Sequence, residues 1–303
     1  MRTVYLGTSD FAATVLRRLA DSPHRPVLVV TPPDRRRGRG RRLASPPAAE
    51  AARELGIDLL QAASVNDPDA AERVRASEPQ IGAVCAFGQL IKDPLLSELE
   101  MLNVHPSLLP RWRGAAPIER TIMAGDAVTG VTILQVTAGL DSGPIALREE
   151  FELERGDGAE SLVPKLADLG GELLVRALDL RERGELELRE QDEDEATYAE
   201  KIGPEERRLD PSRPASELER TVLALNPHIG SHLELEDGTR LGVREALAVP
   251  GRVEPGVVRA GEGELGLGTA DGILKLLTVQ PPGKNPMPAE AFLRGNPVPG
   301  RAV

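Results

Sequence analysis

Short apolar runs alternate with amphipathic segments over the first half of the chain. Buried strands are predicted at Thr3–Leu6, Val27–Val30, Ile57–Leu60 and Ile81–Ala86. Helices are predicted between and after them at Phe11–Asp21, Ala48–Leu55 and Asp69–Ala76, with a longer one at Ala159–Glu182. Alternating strands and helices predict an α/β domain on a doubly wound, mostly parallel, Rossmann-like sheet. The first turn, Gly7-Thr8-Ser9-Asp10, is not G-x-G-x-x-G, so the dinucleotide fingerprint is absent.

The last hundred residues show a different pattern. An amphipathic helix at Ala215–Leu225 is followed by five short strands, two of which flank the hairpin signal Asp237-Gly238. The strands are predicted at Ser231–Glu236, Thr239–Val243, Val257–Ala260, Leu265–Thr269 and Ile273–Val279. Five short strands with glycine corners predict a small β-barrel of the oligonucleotide-binding (OB-like) type.

Polar side chains are concentrated between Leu102 and Asp141. The alternation in Leu102-Asn103-Val104-His105 places Asn103 and His105 on one face of a short strand. Three prolines are expected to keep the following segment irregular: Pro106, Pro110 and Pro117. A second strand, Val131–Val136, leads to Asp141 on a glycine-flanked turn. All three polar groups are then expected at strand ends, where open parallel sheets hold their active sites.

An amide, an imidazole and a carboxylate in one place are suited to acyl transfer. The imidazole moves a proton near neutral pH, the carboxylate orients it, and the amide stabilises an oxyanion. The chain has no serine or cysteine in a recognisable nucleophile context, which favours direct transfer between two bound substrates. On spacing alone, a strand end capped by ordinary turn residues is the simpler explanation of Asn103, His105 and Asp141.

Composition narrows the class of protein. A chain of 303 residues with 40% hydrophobic residues is large enough for two domains with sizeable cores. The single cysteine, Cys85, excludes an intramolecular disulfide and a cysteine metal cluster. Met1-Arg2 leads directly into a strand, and nothing approaches a transmembrane run, so we expect a cytoplasmic protein without a membrane partner. His228 and His232 lack a third ligand, and no metal is expected.

The net charge of −11 argues against nucleic acid, but its distribution weakens that objection. Asp34–Leu43 holds six arginines and one aspartate, whereas Glu182–Glu200 holds nine acidic residues and two arginines. The arginine-rich segment is predicted to be a loop, with glycines that let its backbone approach a polyanion. Such a run is also typical of a solvated surface loop.

The central motif N-V-H-P-S-L-L-P-R-W-R-G-A-A-P-I-E-R, followed by G-L-D-S-G, resembles the active-site region of the folate-dependent formyltransferases. The R-G-A-A-P-I form is most similar to the methionyl-tRNA formyltransferases of that family. Further matching motifs run in order along nearly the whole chain: G-T-S-D-F-A, P-D-R-R-R-G-R-G-R-R-L, A-F-G-Q-L-I, T-Y-A-E-K-I and D-G-I-L-K-L-L-T-V-Q-P-P-G-K. The chain departs from the family at Ser9, where proline is usual, and at Phe87, where tyrosine is common.

The resemblance implies roles for residues. Asn103, His105 and Asp141 fall on the family's catalytic trio. The folate pocket is implied at Phe87, Gly88, Gln89, Leu90, Ser107, Leu108, Leu109 and Pro110. In the loop after Ala86, backbone groups are implied to recognise the pterin edge. Contacts to tRNA are implied at Arg35, Arg36, Arg37, Arg39, Arg41, Arg42 and Lys284. Without the resemblance, the loop after Ala86 is an ordinary strand exit and Lys284 an ordinary solvated lysine.

The implied activity is transfer of the formyl group of 10-formyltetrahydrofolate to the α-amino group of methionyl initiator tRNA, with no metal and tetrahydrofolate as product. The implied organisation is a catalytic domain at residues 1–183, a linker at 184–204 and a tRNA-contacting OB-like barrel at 205–303, in a monomer. Two alternatives stay open. One is a formyltransferase acting on a sugar nucleotide or glycinamide ribonucleotide, which shares the trio but does not need the arginine loop and barrel. The other is a catalytically silent folate- or RNA-binding protein.

Overall fold

The computed structural model describes residues 1–37, 42–261 and 263–303, which form two compact units. The first unit comprises Met1–Gly114, Val128–Glu152 and Val163–Tyr198. The second comprises Ala115–Ala127, Leu153–Leu162 and Ala199–Val303. The boundaries expected at residues 183 and 204 stay a prediction.

The strands and helices follow the chain in this order. The strands are β1 (Thr3–Gly7), β2 (Pro26–Thr31), β3 (Arg35–Arg37), β4 (Arg42–Ala44), β5 (Asp58–Gln61), β6 (Ile81–Cys85), β7 (Met101–His105), β8 (Arg113–Gly114), β9 (Val128–Gln135), β10 (Ile145–Glu152), β11 (Tyr198–Ala199), β12 (Ser231–Glu234), β13 (Arg240–Val249), β14 (Val258–Gly261), β15 (Glu264–Gly268), β16 (Ile273–Gln280) and β17 (Met287–Pro288). The helices are α1 (Asp10–Ala20), α2 (Pro47–Glu54), α3 (Pro68–Ala76), α4 (Leu95–Glu98), α5 (Pro117–Ala124), α6 (Ala159–Glu182), α7 (Ala215–Leu225) and α8 (Ala289–Gly295).

The first unit is built on a seven-stranded sheet in the order β10-β9-β7-β6-β1-β2-β5. The five strands β7, β6, β1, β2 and β5 pair in parallel, whereas β9 pairs antiparallel with its two neighbours, β7 and β10. Alternate strand residues such as Val4, Leu6 and Val84 enter one buried apolar cluster beneath the helices. Ser9, which stands where the family usually has proline, caps α1 by accepting the Ala12 N–H. This sheet and its flanking helices confirm the predicted α/β class.

The second unit holds an antiparallel sheet in the order β12-β13-β16-β15-β14, with β17 paired to β16. The five strands predicted there are all present; four agree with the predicted bounds to within two residues, and β13 continues to Val249, six residues beyond its predicted end. The final residues join the two edge strands of that order, because Ala302 pairs with Leu235 after β12 and Arg301 pairs with Val257 before β14. Each edge therefore gains backbone partners, and the sheet closes as the predicted barrel requires.

Two local expectations were wrong. The segment around Pro117 is not irregular, because Pro117 occupies the first turn of α5, where a missing N–H costs nothing. The arginine-rich segment is not wholly a loop either, since β3 and β4 pair antiparallel, with Arg35 opposite Ala44 and Arg37 opposite Arg42. Glycine content favours a loop, but an extended arginine backbone can still form a ladder when a partner strand follows closely.

The acidic stretch after α6 has exposed side chains, as expected of a linker, but its backbone is tied to the first unit. The side chains of Glu187 and Arg189 are about four-fifths exposed. Nevertheless Ile145 and Arg189 exchange both backbone hydrogen bonds, at 2.7 and 2.9 Å. Exposed acids predict solvation of side chains and carry no information on whether the main chain pairs with a sheet edge.

Among the described residues, no helix has the length and apolar character needed to cross a membrane.

Candidate active site

Asn103 and His105 lie on one face of β7, as their spacing predicts. Asp141 reaches them by a route that differs from the one expected. Because β9 is antiparallel to β7, it ends beside Met101, where Val136 N–H donates to the Met101 carbonyl. The chain between β9 and β10 must then fold back along β7 to bring Asp141 to Asn103. The expectation that all three groups would lie at strand ends as in an open parallel sheet was therefore wrong for Asp141, although the three side chains do meet.

The Asp141 carboxylate is the centre of the site. Its Oδ1 accepts a hydrogen bond from Asn103 Nδ2 at 3.3 Å. Its Oδ2 accepts the Gly114 N–H at 2.9 Å and lies 3.6 Å from His105 Nδ1. The Asp141 side chain is 16% exposed, whereas His105 is almost completely buried. One carboxylate thus fixes an amide and an imidazole at the edge of solvent.

The partners of His105 assign its tautomer. Its Nε2 lies 2.8 Å from the carbonyl oxygen of Trp112, which can only accept a hydrogen bond. Nε2 therefore carries a hydrogen, and Nδ1 is the nitrogen that faces Asp141.

Two residues of this region have left-handed backbone conformations. The φ of Asp141 is +47° and that of Trp112 is +65°. Such values are uncommon for residues with a Cβ and persist where surrounding contacts fix the backbone. Gly143 then allows the turn to approach β9 closely, because a Cβ there would meet the Gln135 oxygen at 1.9 Å. The turn is thus held in one shape by its packing.

A family model described as formyl transferase matches residues 1–178, and one described as formyl transferase, C-terminal domain, matches residues 201–297. This chain belongs to the formyl transferase family. It is 41% identical to a methionyl-tRNA formyltransferase of Methylobacillus flagellatus, over 98% of this chain and 97% of that protein. It is also 41% identical to a methionyl-tRNA formyltransferase of Halorhodospira halophila, over 100% of this chain and 99% of that one.

Solved structures show the same fold. HypX from Aquifex aeolicus, in complex with tetrahydrofolic acid, superposes with a TM-score of 0.65 at 19% identity. The match covers 97% of this chain and 47% of HypX, so this formyl transferase spans about half the length of that protein. At this identity the likeness establishes the fold alone.

The first predicted folate segment of this formyl transferase follows β6. Phe87 is buried and its carbonyl accepts from Thr8 Oγ1 at 2.7 Å, whereas Leu90 is 62% exposed. The Gln89 side chain accepts from Val65 N–H at 2.8 Å and donates to the Ala62 carbonyl at 3.2 Å. Gln89 therefore braces the neighbouring loop. Gly88, with a φ of +73°, has no heavy atom within 4 Å of where a Cβ would stand.

In the second predicted folate segment, Ser107 to Pro110, most of the side chains are buried. Ser107 is buried and donates to the Arg111 carbonyl at 2.7 Å. Leu109 is also buried, and its N–H donates to Thr132 Oγ1 at 3.1 Å. Leu108 and Pro110 follow the same irregular path. Contact with folate in this segment stays a prediction. Because three of the four side chains are buried, the contact would be made by their backbone and by the partly exposed Leu108.

The predicted tRNA residues are placed only in part. Arg35 and Arg36 are exposed on β3, and the backbones of Arg37 and Arg42 lie in β3 and β4. Arg39 and Arg41 lie outside the described residues. In the second unit Lys284 is exposed on the turn after β16, whose geometry is fixed by a 2.8 Å bond from Gln280 Nε2 to the Lys284 carbonyl.

Other candidate chemistry is accounted for structurally. Burial raises the pKa of the Cys85 thiol to about 12, so Cys85 is a core residue and not a nucleophile. Within the described part of the chain, no group of three or more His, Cys, Asp or Glu side chains could hold a metal ion.

Sequence reasoning missed several groups that shape the site. Gly114 N–H and the Trp112 carbonyl belong to the quoted motif, but backbone atoms leave no signature in residue type. Arg113 is the largest fully buried side chain among the described residues, and in the sequence it stands only as part of the motif. Gln191 stands in an acidic run 50 residues from the turn it contacts, and no local pattern indicates such a contact.

Proposed function

We propose that this formyl transferase moves the formyl group of 10-formyltetrahydrofolate onto the α-amino group of methionine esterified to initiator tRNA. The observation that carries the proposal is the convergence of Asn103, His105 and Asp141 in a chain with full-length relatives at 41% identity that are named for this activity. The acceptor is thus taken from the names of the relatives, the folate donor from the formyl transferase family, and the roles of the residues from the geometry.

The reaction has a balanced course in this site. The amine nitrogen attacks the formyl carbon, and the carbonyl π electrons move to oxygen to give a tetrahedral oxyanion. When the intermediate collapses, the bond from the formyl carbon to N10 of the folate breaks. The amine loses a proton and N10 gains one, giving formylated methionyl-tRNA and tetrahydrofolate. A catalyst must therefore stabilise one oxyanion and move one proton.

The trio meets both requirements. An amide nitrogen carries two hydrogens, so Asn103 can donate one to Asp141 and the other to the oxyanion. A protonated His105 adds a positive charge beside the same oxygen. Asp141 keeps both donors in place and stabilises the imidazolium. The transferred proton passes through His105 and Asp141 or through water between the two nitrogens.

Recognition of the substrates is assigned to separate parts of the chain. We assign the folate to the loops Phe87–Leu90 and Ser107–Pro110. We assign tRNA phosphates to the arginine-rich hairpin and to Lys284, which carry exposed positive charge in an otherwise acidic protein. We place the activity in the cytoplasm, where charged initiator tRNA is used, and we propose a monomer, which sedimentation equilibrium would test.

The proposal is tested by offering three acceptors with labelled 10-formyltetrahydrofolate. These are methionyl initiator tRNA, an amino-sugar nucleotide and glycinamide ribonucleotide. We expect label in the tRNA alone. Label in either small acceptor would favour the small-molecule formyltransferase, and no label in any of them, with folate still bound, would favour a catalytically silent binding protein.

A further inference from the structure

The turn that carries Asp141 is held from behind by Gln191. Gln191 Nε2 donates to the Asp141 carbonyl at 2.8 Å and to the Gly143 carbonyl at 2.7 Å. Gln191 Oε1 accepts from Arg113 Nε at 3.1 Å and from Arg113 Nη2 at 2.9 Å. A single side chain from the acidic segment therefore joins two carbonyls of the catalytic turn to a buried arginine.

Only one amide orientation satisfies these four hydrogen bonds. Backbone carbonyls can only accept and a guanidinium can only donate, so the NH2 group must face the turn and the oxygen must face Arg113. Glutamate at this position would direct a carboxylate oxygen at two carbonyl oxygens, and leucine would leave all four groups without this partner. The arrangement is therefore specific to glutamine among side chains of this size.

Arg113 is itself held in one position. Its side chain is 1% exposed, and its Nη1 and Nη2 donate to the two Glu193 oxygens at 2.9 and 2.8 Å. The Arg113 hydrogen bonds also lower the pKa of Glu193, so this pairing persists at neutral pH. The next residue along the chain, Gly114, donates its N–H to Asp141 Oδ2. Arg113 thus anchors Gln191, and the adjoining peptide anchors the carboxylate.

The backbone of Asp141 needs this support. Its φ of +47° lies in the left-handed region, which residues with a Cβ rarely occupy unless contacts on several sides fix them. Gln191 fixes the Asp141 carbonyl, Gly114 and Asn103 fix its carboxylate, and the result is a distance of 3.6 Å to His105 Nδ1. A change behind the turn would displace a carboxylate that two catalytic side chains depend on.

We infer that Gln191, oriented by Arg113, is a positioning residue that sets the place of Asp141 in formyl transfer; this rests on the proposed function. Gln191 acts through the turn and not on substrate. Its loss should therefore reduce the rate of the chemical step and leave the binding of both substrates nearly unchanged. Misplacement of a catalytic group by about 1 Å is enough to cost on the order of 100-fold in rate.

The test compares Gln191→Leu and Gln191→Glu with the wild type. Single-turnover rates, KM for each substrate and hydrogen exchange of the 138–144 segment are measured. Gln80→Leu is the matched control, because the exposed Gln80 side chain accepts the Arg2 N–H at 2.7 Å, away from the site.

We expect both Gln191 variants to lose about 10- to 100-fold in kcat with KM values within about twofold, and to show faster hydrogen exchange in residues 138–144 alone. Gln191→Glu keeps the contact with Arg113, so it tests the turn even if Gln191→Leu folds poorly.

Each remaining outcome decides the matter. An unchanged kcat in a folded Gln191 variant would overturn the inference. So would faster exchange throughout the first unit with proportionate loss of folded enzyme, since that marks a general structural role. A wild-type protein that formylates no tRNA, with exchange still raised only at 138–144 in the variants, would refute the proposed function and leave the positioning of the turn supported.

Discussion

At the scale of the residue, the site depends on a carboxylate, which can only accept hydrogen bonds. The Asp141 carboxylate faces three donors or potential donors: the Asn103 amide, the Gly114 N–H and the His105 imidazole. A carboxylate satisfies all of them, because it has two oxygens and no hydrogen. An amide in its place must direct its NH2 group at one of these donors. Asp141 therefore determines the direction of the Asn103 amide and places a carboxylate oxygen beside His105 Nδ1.

Changes to the trio should impair turnover more than folate binding. Asn103→Ala removes an oxyanion donor and His105→Ala removes a donor and a proton carrier, so each should cost on the order of 100-fold or more in kcat. Asp141→Asn should be comparably severe, because its NH2 group faces another donor and the negative charge beside His105 is lost. Formylation kinetics and folate titration measure both effects. Asn296→Ala, in the second unit, is the matched control; near-normal turnover in a folded trio variant would refute that residue's role.

The loop after β6 provides a second residue-scale prediction. Gly88→Val should reduce folate affinity, because the backbone at φ +73° becomes strained by about 1–2 kcal/mol and the side chain blocks approach to the loop. Gly56→Val is the control, since Gly56 has a φ of +65° and equally open surroundings but lies after α2. The temperature of thermal unfolding should fall similarly in both variants, whereas the affinity for a reduced folate, measured by titration, should fall only in Gly88→Val. Equal affinity in the two variants would place the folate elsewhere.

At the scale of the element, hydrophobic periodicity was a good guide to strands and long helices. The bounds of α6 and α7 were predicted to the residue, and four of the five barrel strands to within two residues, whereas β13 runs six residues beyond its predicted end at Val243. Strand direction was not readable in this way, since β9 has the same β-branched character whether it pairs parallel or antiparallel to β7. That direction decides how Asp141 approaches Asn103. The trio was found through its motif, and the path that brings it together was not.

The element that closes the barrel allows a test of stability. Ala302 is buried, and its N–H donates to the Gly256 carbonyl at 2.7 Å beside the bridge to Leu235. Ala302→Pro removes that donor and should lower the free energy of unfolding by about 1–3 kcal/mol. Val303→Ala, which keeps its own N–H bond to the Glu234 carbonyl, is the control. Urea unfolding gives the change, and hydrogen exchange should rise at β12 and β14. Unchanged stability would mean that the bridge contributes little to the barrel.

At the scale of the whole molecule, the distribution of charge distinguishes a tRNA acceptor from a small-molecule acceptor. A protein with a net charge of −11 repels a polyanion on average, so binding to tRNA requires a local concentration of arginine. The hairpin of β3 and β4 supplies this, with Arg35 and Arg36 exposed on an extended strand. Small acceptors such as a sugar nucleotide carry few phosphates and need no such surface.

Replacing Arg39, Arg41 and Arg42 with alanine should therefore weaken tRNA binding and leave folate binding unchanged. Each arginine that neutralises a phosphate releases counterions, so the triple variant should flatten the dependence of log affinity on log salt by roughly two to three units. If the hairpin also positions the acceptor end, turnover at saturating tRNA should fall as well. The control replaces Arg73, Arg183 and Arg189, which are exposed on the first unit and paired with acids of their own. Affinity and formylation are measured at two salt concentrations. A triple variant with the wild-type salt slope and wild-type formylation would identify the arginine-rich segment as an ordinary solvated segment and favour a small-molecule acceptor.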